Sequence, residues 1–252
     1  MGKNGTMNIE NEEPREVVAS RAMCYYSFDI LIHALQRRNT SLPESNRGNE
    51  LAAEFVSELP DPSIQCPLFV TWEKSAHNGS GWRLRGCIGC LNPRPLATDV
   101  GEYALISAFR DRRFNPISRE EVQSLRVSVS LLVDYEDCEH VYDWTIGVHG
   151  IMIKFAVDGK LFSGTFLPEV AKQQRWDHAE TISSLIRKAG YTKAIDQSLL
   201  DGIHCRRYQS SKCLVTYADY VNEKCGGIDP VFTPLGQEKE SKQPWYKHFP
   251  GL

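Results

Sequence analysis

The chain lacks the features that would place it in a bilayer or on nucleic acid at large. No apolar run approaches the roughly 20 residues a membrane helix needs. The most apolar helical stretch, Val17 to Leu35, is interrupted by Arg21, Asp29 and His33. Charge of one sign is also missing: the 252 residues carry 29 Lys and Arg against 32 Asp and Glu, a net charge of −3. A general nucleic-acid binder shows a basic excess instead. Met1 to Glu13 are polar and mostly acidic with no apolar centre, which points away from a secretory leader. There is no glycine-rich phosphate loop of Walker or dinucleotide type, no Gly-x-Ser-x-Gly, no His-Glu-x-x-His, no zinc-finger spacing and no internal repeat. No cofactor and no metal centre is expected, and no transmembrane segment.

Cysteine, by contrast, is present in number: Cys24, Cys66, Cys87, Cys90, Cys138, Cys205, Cys213 and Cys225. Without a leader these are expected to be thiols in a reducing compartment, so the protein reads as intracellular, cytoplasmic or nuclear. Met1-Gly2-Lys3-Asn4-Gly5-Thr6 fits the loose pattern for an N-myristoyl anchor at Gly2. Glu10, Glu12 and Glu13 have the wrong sign to help such an anchor at an anionic membrane.

The pattern along the chain alternates helices with antiparallel hairpins. Residues 1–14 read as a disordered tail, 15–226 as the folded domain, and 227–252 as a polar tail that bears Trp245, Tyr246 and Phe249. Apolar residues at helical spacing mark Val18 to Leu35, a short helix is expected from Glu50 to Glu58, and another from Leu96 to Arg110. Leu68 to Glu73 and Trp82 to Ile88 read as the two arms of a hairpin. Pro93 and Pro95 are expected to break the chain after it. Ser118 and Glu121, and Asp177 and Glu180, are spaced as capping boxes. Val127, Val129, Leu131 and Val133 alternate as a strand with one buried face. Trp144 to Phe155 and Lys160 to Leu167 flank Asp158-Gly159, a hairpin turn. Cys205 to Gln209 and Lys212 to Thr216 read as two strands, followed by a helix from Tyr217 to Lys224. This order implies an α+β fold.

The most informative stretch is Leu84-Arg85-Gly86-Cys87-Ile88-Gly89. Strict alternation would place Arg85 and Cys87 on one face and Leu84 and Ile88 on the other. A guanidinium beside a thiol favours the thiolate. The glycines permit a bulge or a close backbone approach. Cys87 and Cys90 form a Cys-x-x-Cys, but it ends a strand rather than opening a helix, and no second pair exists to complete a zinc site. His149, between Gly147-Val148 and Gly150, could pair with Cys87 as a base, or could be a satisfied structural histidine. Glu169 could orient that base, or serve the dipole of a helix first turn. Asp111 and Arg113 follow the third helix. With Arg83, Arg85, Arg94 and Arg112, Arg113 could build an anion-binding wall, or could simply suit a helix C-terminus.

The hexapeptide, together with Asp111-Arg112-Arg113-Phe114, Val129-Ser130-Leu131-Leu132, Gly147-Val148-His149-Gly150, Leu167-Pro168-Glu169-Val170, Trp176-Asp177 and Lys188-Ala189-Gly190 in that order, resembles the AMMECR-type domain family. The resemblance covers roughly residues 15 to 223, and the chain looks like an animal-type member. It implies two subdomains, each with an antiparallel sheet flanked by helices. The larger would hold both chain ends, and the hexapeptide would face the cleft between them. It implies no activity, because the family has no established one. Relatives usually carry threonine or serine at the position of Cys90, so the Cys-x-x-Cys is not a family device.

Two readings follow. In the first, the cleft binds and regulates a protein or peptide partner, with Arg85 and Arg113 reading acidic groups on it. In the alternative, the protein is a cysteine-dependent enzyme or modification factor, with Cys87 reactive, Arg85 its activator, and His149 and Glu169 its acid–base partners.

Overall fold

The structure is a computed structural model that describes residues 17–38, 47–59, 61–76 and 81–231. The expectations for Gly2, for the tip of the first hairpin and for the aromatic residues of the C-terminal tail lie outside the described residues. Seven α-helices and six strands are described: α1 (Arg21–Arg38), α2 (Arg47–Glu58), β1 (Gln65–Ser75), β2 (Trp82–Pro95), α3 (Leu96–Phe109), β3 (Leu125–Asp137), β4 (Gly150–Val157), β5 (Lys160–Phe166), α4 (Pro168–Gln174), α5 (His178–Lys188), α6 (Gln197–Asp201), β6 (His204–Thr216) and α7 (Tyr217–Glu223). A 3-10 helix spans Arg119–Ser124. No helix among the described residues is long and apolar enough to cross a membrane.

The fold is α+β, as expected. The six strands join in one antiparallel sheet, ordered β2-β1-β3-β6-β4-β5. The two sheets anticipated from the resemblance are thus two halves of a continuous one. Each half carries its own hydrophobic core. Phe28, Leu31 and Leu35 of α1, Val100 and Ala104 of α3, and Val70, Trp72, Val127, Val129 and Val215 of the strands fill the first. Ile151, Ile153, Phe155, Phe162, Ile182, Leu185 and Cys205 fill the second. The strand β6 links them. Its C-terminal half pairs only with β3, and its first residues, His204 to Tyr208, also pair with β4. Cys205 and Gln209, and Lys212 and Thr216, therefore belong to one strand and not to two.

Local signals behave as their chemistry dictates. Ser118 with Glu121 and Asp177 with Glu180 both form complete capping boxes. The helix α5 is closed just past Lys188 by Gly190, whose φ of 96° suits glycine, and the N–H of Tyr191 reaches back to the carbonyl of Ile186. Three expectations need correction. Pro93 and Pro95 do not break the chain after the hexapeptide: β2 continues to Pro95, and the register slips opposite Pro67, which has no N–H to give the ladder. Trp144 to His149 is not strand. Those residues form tight turns in which the N–H groups of Val148 and His149 both bond the carbonyl of Thr145. The packed chain also extends past Gly227. Val231 is buried in the first core, Gln36 donates to the Pro230 carbonyl and Arg119 to that of Val231.

Candidate functional site

The hexapeptide lies on β2, an edge strand, and the register of its hairpin decides where each side chain points. Trp72 pairs with Gly86, but Glu73 pairs with Leu84, so Arg85 is an extra residue in a β-bulge. The bulge breaks the alternation and overturns the expected faces. Leu84 and Cys87 share a face, opposite Glu73 and Thr71, while Gly86, Ile88 and Cys90 oppose the inward Trp72, Val70 and Leu68. Cys87 and Cys90 consequently stand on opposite faces of the sheet and cannot act as a pair.

A helix wedge explains the glycines. The hydroxyl of Ser107, on α3, accepts the N–H of Ile88 at 2.9 Å and donates to the carbonyl of Val70 at 2.8 Å. It ties α3 to the ladder at the point where Val70 of β1 pairs with Ile88 of β2. A Cβ at Gly86 would lie 2.1 Å from the Ser107 carbonyl oxygen, and one at Gly89 would lie 2.3 Å from that of Leu68. Only glycine permits this approach.

The outward edge at Cys87 is closed by side chains. The Asp111 carboxylate accepts the Cys87 N–H at 2.9 Å, and Arg113 Nη2 donates to the Cys87 carbonyl at 3.0 Å. Asp111 and Arg113 are also paired to each other at 2.6 Å. The Arg113 guanidinium beside it, helped by the N–H groups of Cys87 and Arg113, holds the Asp111 carboxyl well below the usual carboxylate range against the opposing effect of burial. Burial lowers the Arg113 pKa but its bond to Asp111 dominates, so the guanidinium is raised.

Arg85 is bonded to Glu121, and among the described residues no hydrogen bond joins its side chain to Cys87. Its side chain is 13 % exposed and each of its three nitrogens is engaged: Nε and Nη2 with Glu121, Nη1 with the carbonyl of Asn115, and Nη2 with that of Pro116. Lys74 joins Glu121 at 3.0 Å. Burial would raise the Glu121 pKa, yet Arg85, the Ser118 N–H and Lys74 together bring it down to about 2. Two more of the anticipated wall of arginines are paired, Arg94 to buried Asp99 and Arg113 to Asp111, each at 2.6 Å.

Cys87 itself is half-buried, and the Thr71 hydroxyl donates to its Sγ at 3.1 Å. His149 and Glu169 are not brought to it. Strands β1, β3 and β6 lie between the strand of Cys87 and β4, which His149 precedes. His149 Nδ1 accepts the N–H of Thr145. Glu169 is exposed in the first turn of α4. Sequence reasoning missed two contributors. Ser107 carries no motif, and Ser128, which pairs with Thr71 on the Cys87 face, is fully buried with no hydrogen-bond partner for its hydroxyl. No sequence signal distinguishes Ser128 from Ser130 two residues on.

The arrangement defines an α+β protein with one antiparallel sheet, helices packed over two cores, and a rigidly braced edge hairpin. The chain belongs to the AMMECR1 family, whose model matches residues 24–213. An uncharacterised protein of Arabidopsis thaliana is 41% identical over 226 residues, covering 88% of this chain and 98% of that protein. An uncharacterised protein of Schizosaccharomyces pombe is 38% identical over 199 residues, covering 79% and 94%. The crystal structure of an uncharacterised protein from Pyrococcus horikoshii shares the fold, with a TM-score of 0.57 and 22% identity over 78% of this chain and 93% of that one.

Proposed function

We propose that this chain is a non-catalytic domain that binds a protein or peptide partner in a regulatory role, using the hexapeptide hairpin and the sheet face that carries Cys87, Thr71 and Ser128. The observation that supports it is the division of labour within the motif. Arg85, Asp111 and the glycines are spent on bracing the hairpin. The groups left exposed are apolar and cationic: Leu84 at 41%, Leu91 at 37% and the Arg113 side chain at 56%. That mixture suits an interface better than a reaction centre. An intracellular setting, cytoplasmic or nuclear, and the animal-type assignment belong to the same reading; eight free cysteines fit a reducing compartment.

The second reading, a Cys87-dependent modification factor, draws support from the half-buried thiol and its Thr71 contact. The one carboxylate hydrogen-bonded to Cys87 among the described residues, Asp111, is held ionised by Arg113 and bonds the main-chain N–H, which makes it a weak base for the thiol.

Two variants separate the readings, with a photocrosslinker placed at Thr71 in cell extract. Cys87→Ser is expected to retain the crosslinked species, and Leu84→Asp with Arg113→Glu to lose them. Loss of the species on Cys87→Ser alone, with alkylation showing a Cys87 pKa well below the ordinary thiol value of about 8.5, would replace the binding reading with the alternative.

A further inference from the structure

The two edges of the sheet are finished differently. At the β2 edge, Asp111 and Arg113 take the outward N–H and C=O of Cys87 as a neighbouring strand would. The β5 edge has no comparable cap. Its hairpin turns at Asp158-Gly159, with φ of 52° and 74°, the two-residue type I′ geometry. Such a turn makes Val157 and Lys160 a hydrogen-bonded pair, and alternation then sends the peptide groups of Leu161, Ser163 and Thr165 away from β4. One outward group is occupied in agreement with that register: Lys188 Nζ donates to the Thr165 carbonyl at 2.9 Å. The N–H and C=O of Leu161 and Ser163, and the N–H of Thr165, have no partner among the described residues.

Side chains add a pattern to this open backbone. Leu161 is 71% exposed, the most exposed large apolar side chain among the described residues. It lies on the face opposite Phe162, which is buried in the second core. On the core side, Lys160 and Lys188 sit over the rings of Phe162 and Phe166. The strands β4 and β5 contain Lys154 and Lys160 and no acidic residue. Lysines along an edge discourage indiscriminate pairing, and they complement a strand of opposite charge.

We propose that the free edge of β5 is a strand-addition site for an extended acidic peptide, whose residues alternate between apolar ones beside Leu161 and acidic ones beside Lys160 and Lys188. Main-chain bonds to Leu161, Ser163 and Thr165 supply the affinity, and the side chains select the sequence. The site lies at the opposite edge from the hexapeptide and is independent of the surface proposed above.

The test titrates the full chain, labelled with nitrogen-15, with an end-blocked peptide of four Val-Glu repeats. The amides of Leu161, Ser163 and Thr165 are expected to shift, and those around Cys87 to stay. Ser163→Pro removes an outward donor at a position where an edge strand tolerates proline. It is expected to weaken binding by about tenfold or more without lowering the melting temperature appreciably. Lys160→Glu with Lys188→Glu is expected to switch the preference to four Val-Lys repeats. If Ser163→Pro unfolds the chain, a peptide N-methylated at alternate residues serves instead and is expected not to bind. Absence of shifts, shifts centred on β2, or binding indifferent to proline or N-methylation overturns the proposal. Concentration-dependent self-association abolished by Ser163→Pro, without peptide binding, also overturns it, because the occupant would then be a second copy of the chain.

Discussion

Ser107 Oγ lies 2.9 Å from the amide nitrogen of Ile88 and ties the third helix to the hairpin where Val70 pairs with Ile88. The same hydroxyl donates to the carbonyl of Val70, so its removal costs side-chain hydrogen bonds while Val70 and Ile88 keep each other as ladder partners. Ser107→Ala is expected to cost about 1 kcal/mol, the scale of a lost hydrogen bond, read as a lower urea midpoint with an unchanged slope.

Gly86 faces a harder limit. A methyl group there meets the Ser107 backbone carbonyl, which cannot rotate away. Gly86→Ala is expected to destabilise by about 3 kcal/mol or more through overpacking. Gly159→Ala is expected to cost less: its Cβ meets nothing within 4 Å, so only the φ of 74° opposes it. Thermal melts of the two variants side by side test the ranking.

Acid should loosen the hairpin from the cap inward. The carboxyls of Asp111 and Glu121 are depressed in the folded chain, Glu121 to about 2. Groups of this sign contribute stability that is fully present above their unfolded values, near about 4, and is lost as pH falls through the folded ones. The melting temperature is expected to fall between about pH 4.5 and pH 2. Asp111→Asn and Glu121→Gln should each flatten that fall, which calorimetry across the range measures.

Arg85 spans one carboxylate and two carbonyls, a task for a planar fork. Arg85→Ala is expected to cost about 3 kcal/mol or more, since Glu121 would keep only Lys74 and the Ser118 N–H. Arg85→Lys should recover part of that loss. A double-mutant cycle with Glu121→Gln should show strong coupling. Additivity would mean that Arg85 stabilises through something other than this pair.

Cys87→Ser should be nearly silent for folding, with a cost under about 1 kcal/mol, because a hydroxyl can keep the Thr71 contact. Equilibrium unfolding of the variant checks this. A large loss would show that the thiol is itself a packing element.

What could be read in the residues beforehand, and what could not, divides along one physical line. Signals carried by neighbours in the chain were legible: the capping pairs Ser118/Glu121 and Asp177/Glu180, the turn at Asp158-Gly159, and the alternation of Val127, Val129 and Leu131. Features imposed by a distant element were not. The bulge at Arg85 moves Leu84 to the face of Cys87, and it is stabilised by Glu121 and by the carbonyls of Asn115 and Pro116, some thirty residues away. The closeness of α3 to Gly86 depends on Ser107, an unremarked serine in an apolar helix. His149 was misplaced on a strand because Gly147, with φ of 80°, belongs to a turn that apolar periodicity does not register. The hairpin that carries the candidate residues was therefore legible, while the partners that brace it came only with the tertiary contacts.

The path of β6 has a consequence for how the protein is made. Everything between Asp137 and His204 is strung between two strands that must lie side by side, with Arg126 meeting Thr216 across ninety positions of chain. On a ribosome, the half that begins first is completed last. Val127 and Val129 wait for Val215, and Phe28 waits for Tyr217 and Tyr220. The intervening half, with its short hairpin and neighbouring helices, has its own strand partners β4 and β5 in hand well before then. A nascent chain halted at about residue 200 would present the bare flank of β3 to its surroundings, and protection of that flank by chaperones is the cost of closing a sheet with its final strand.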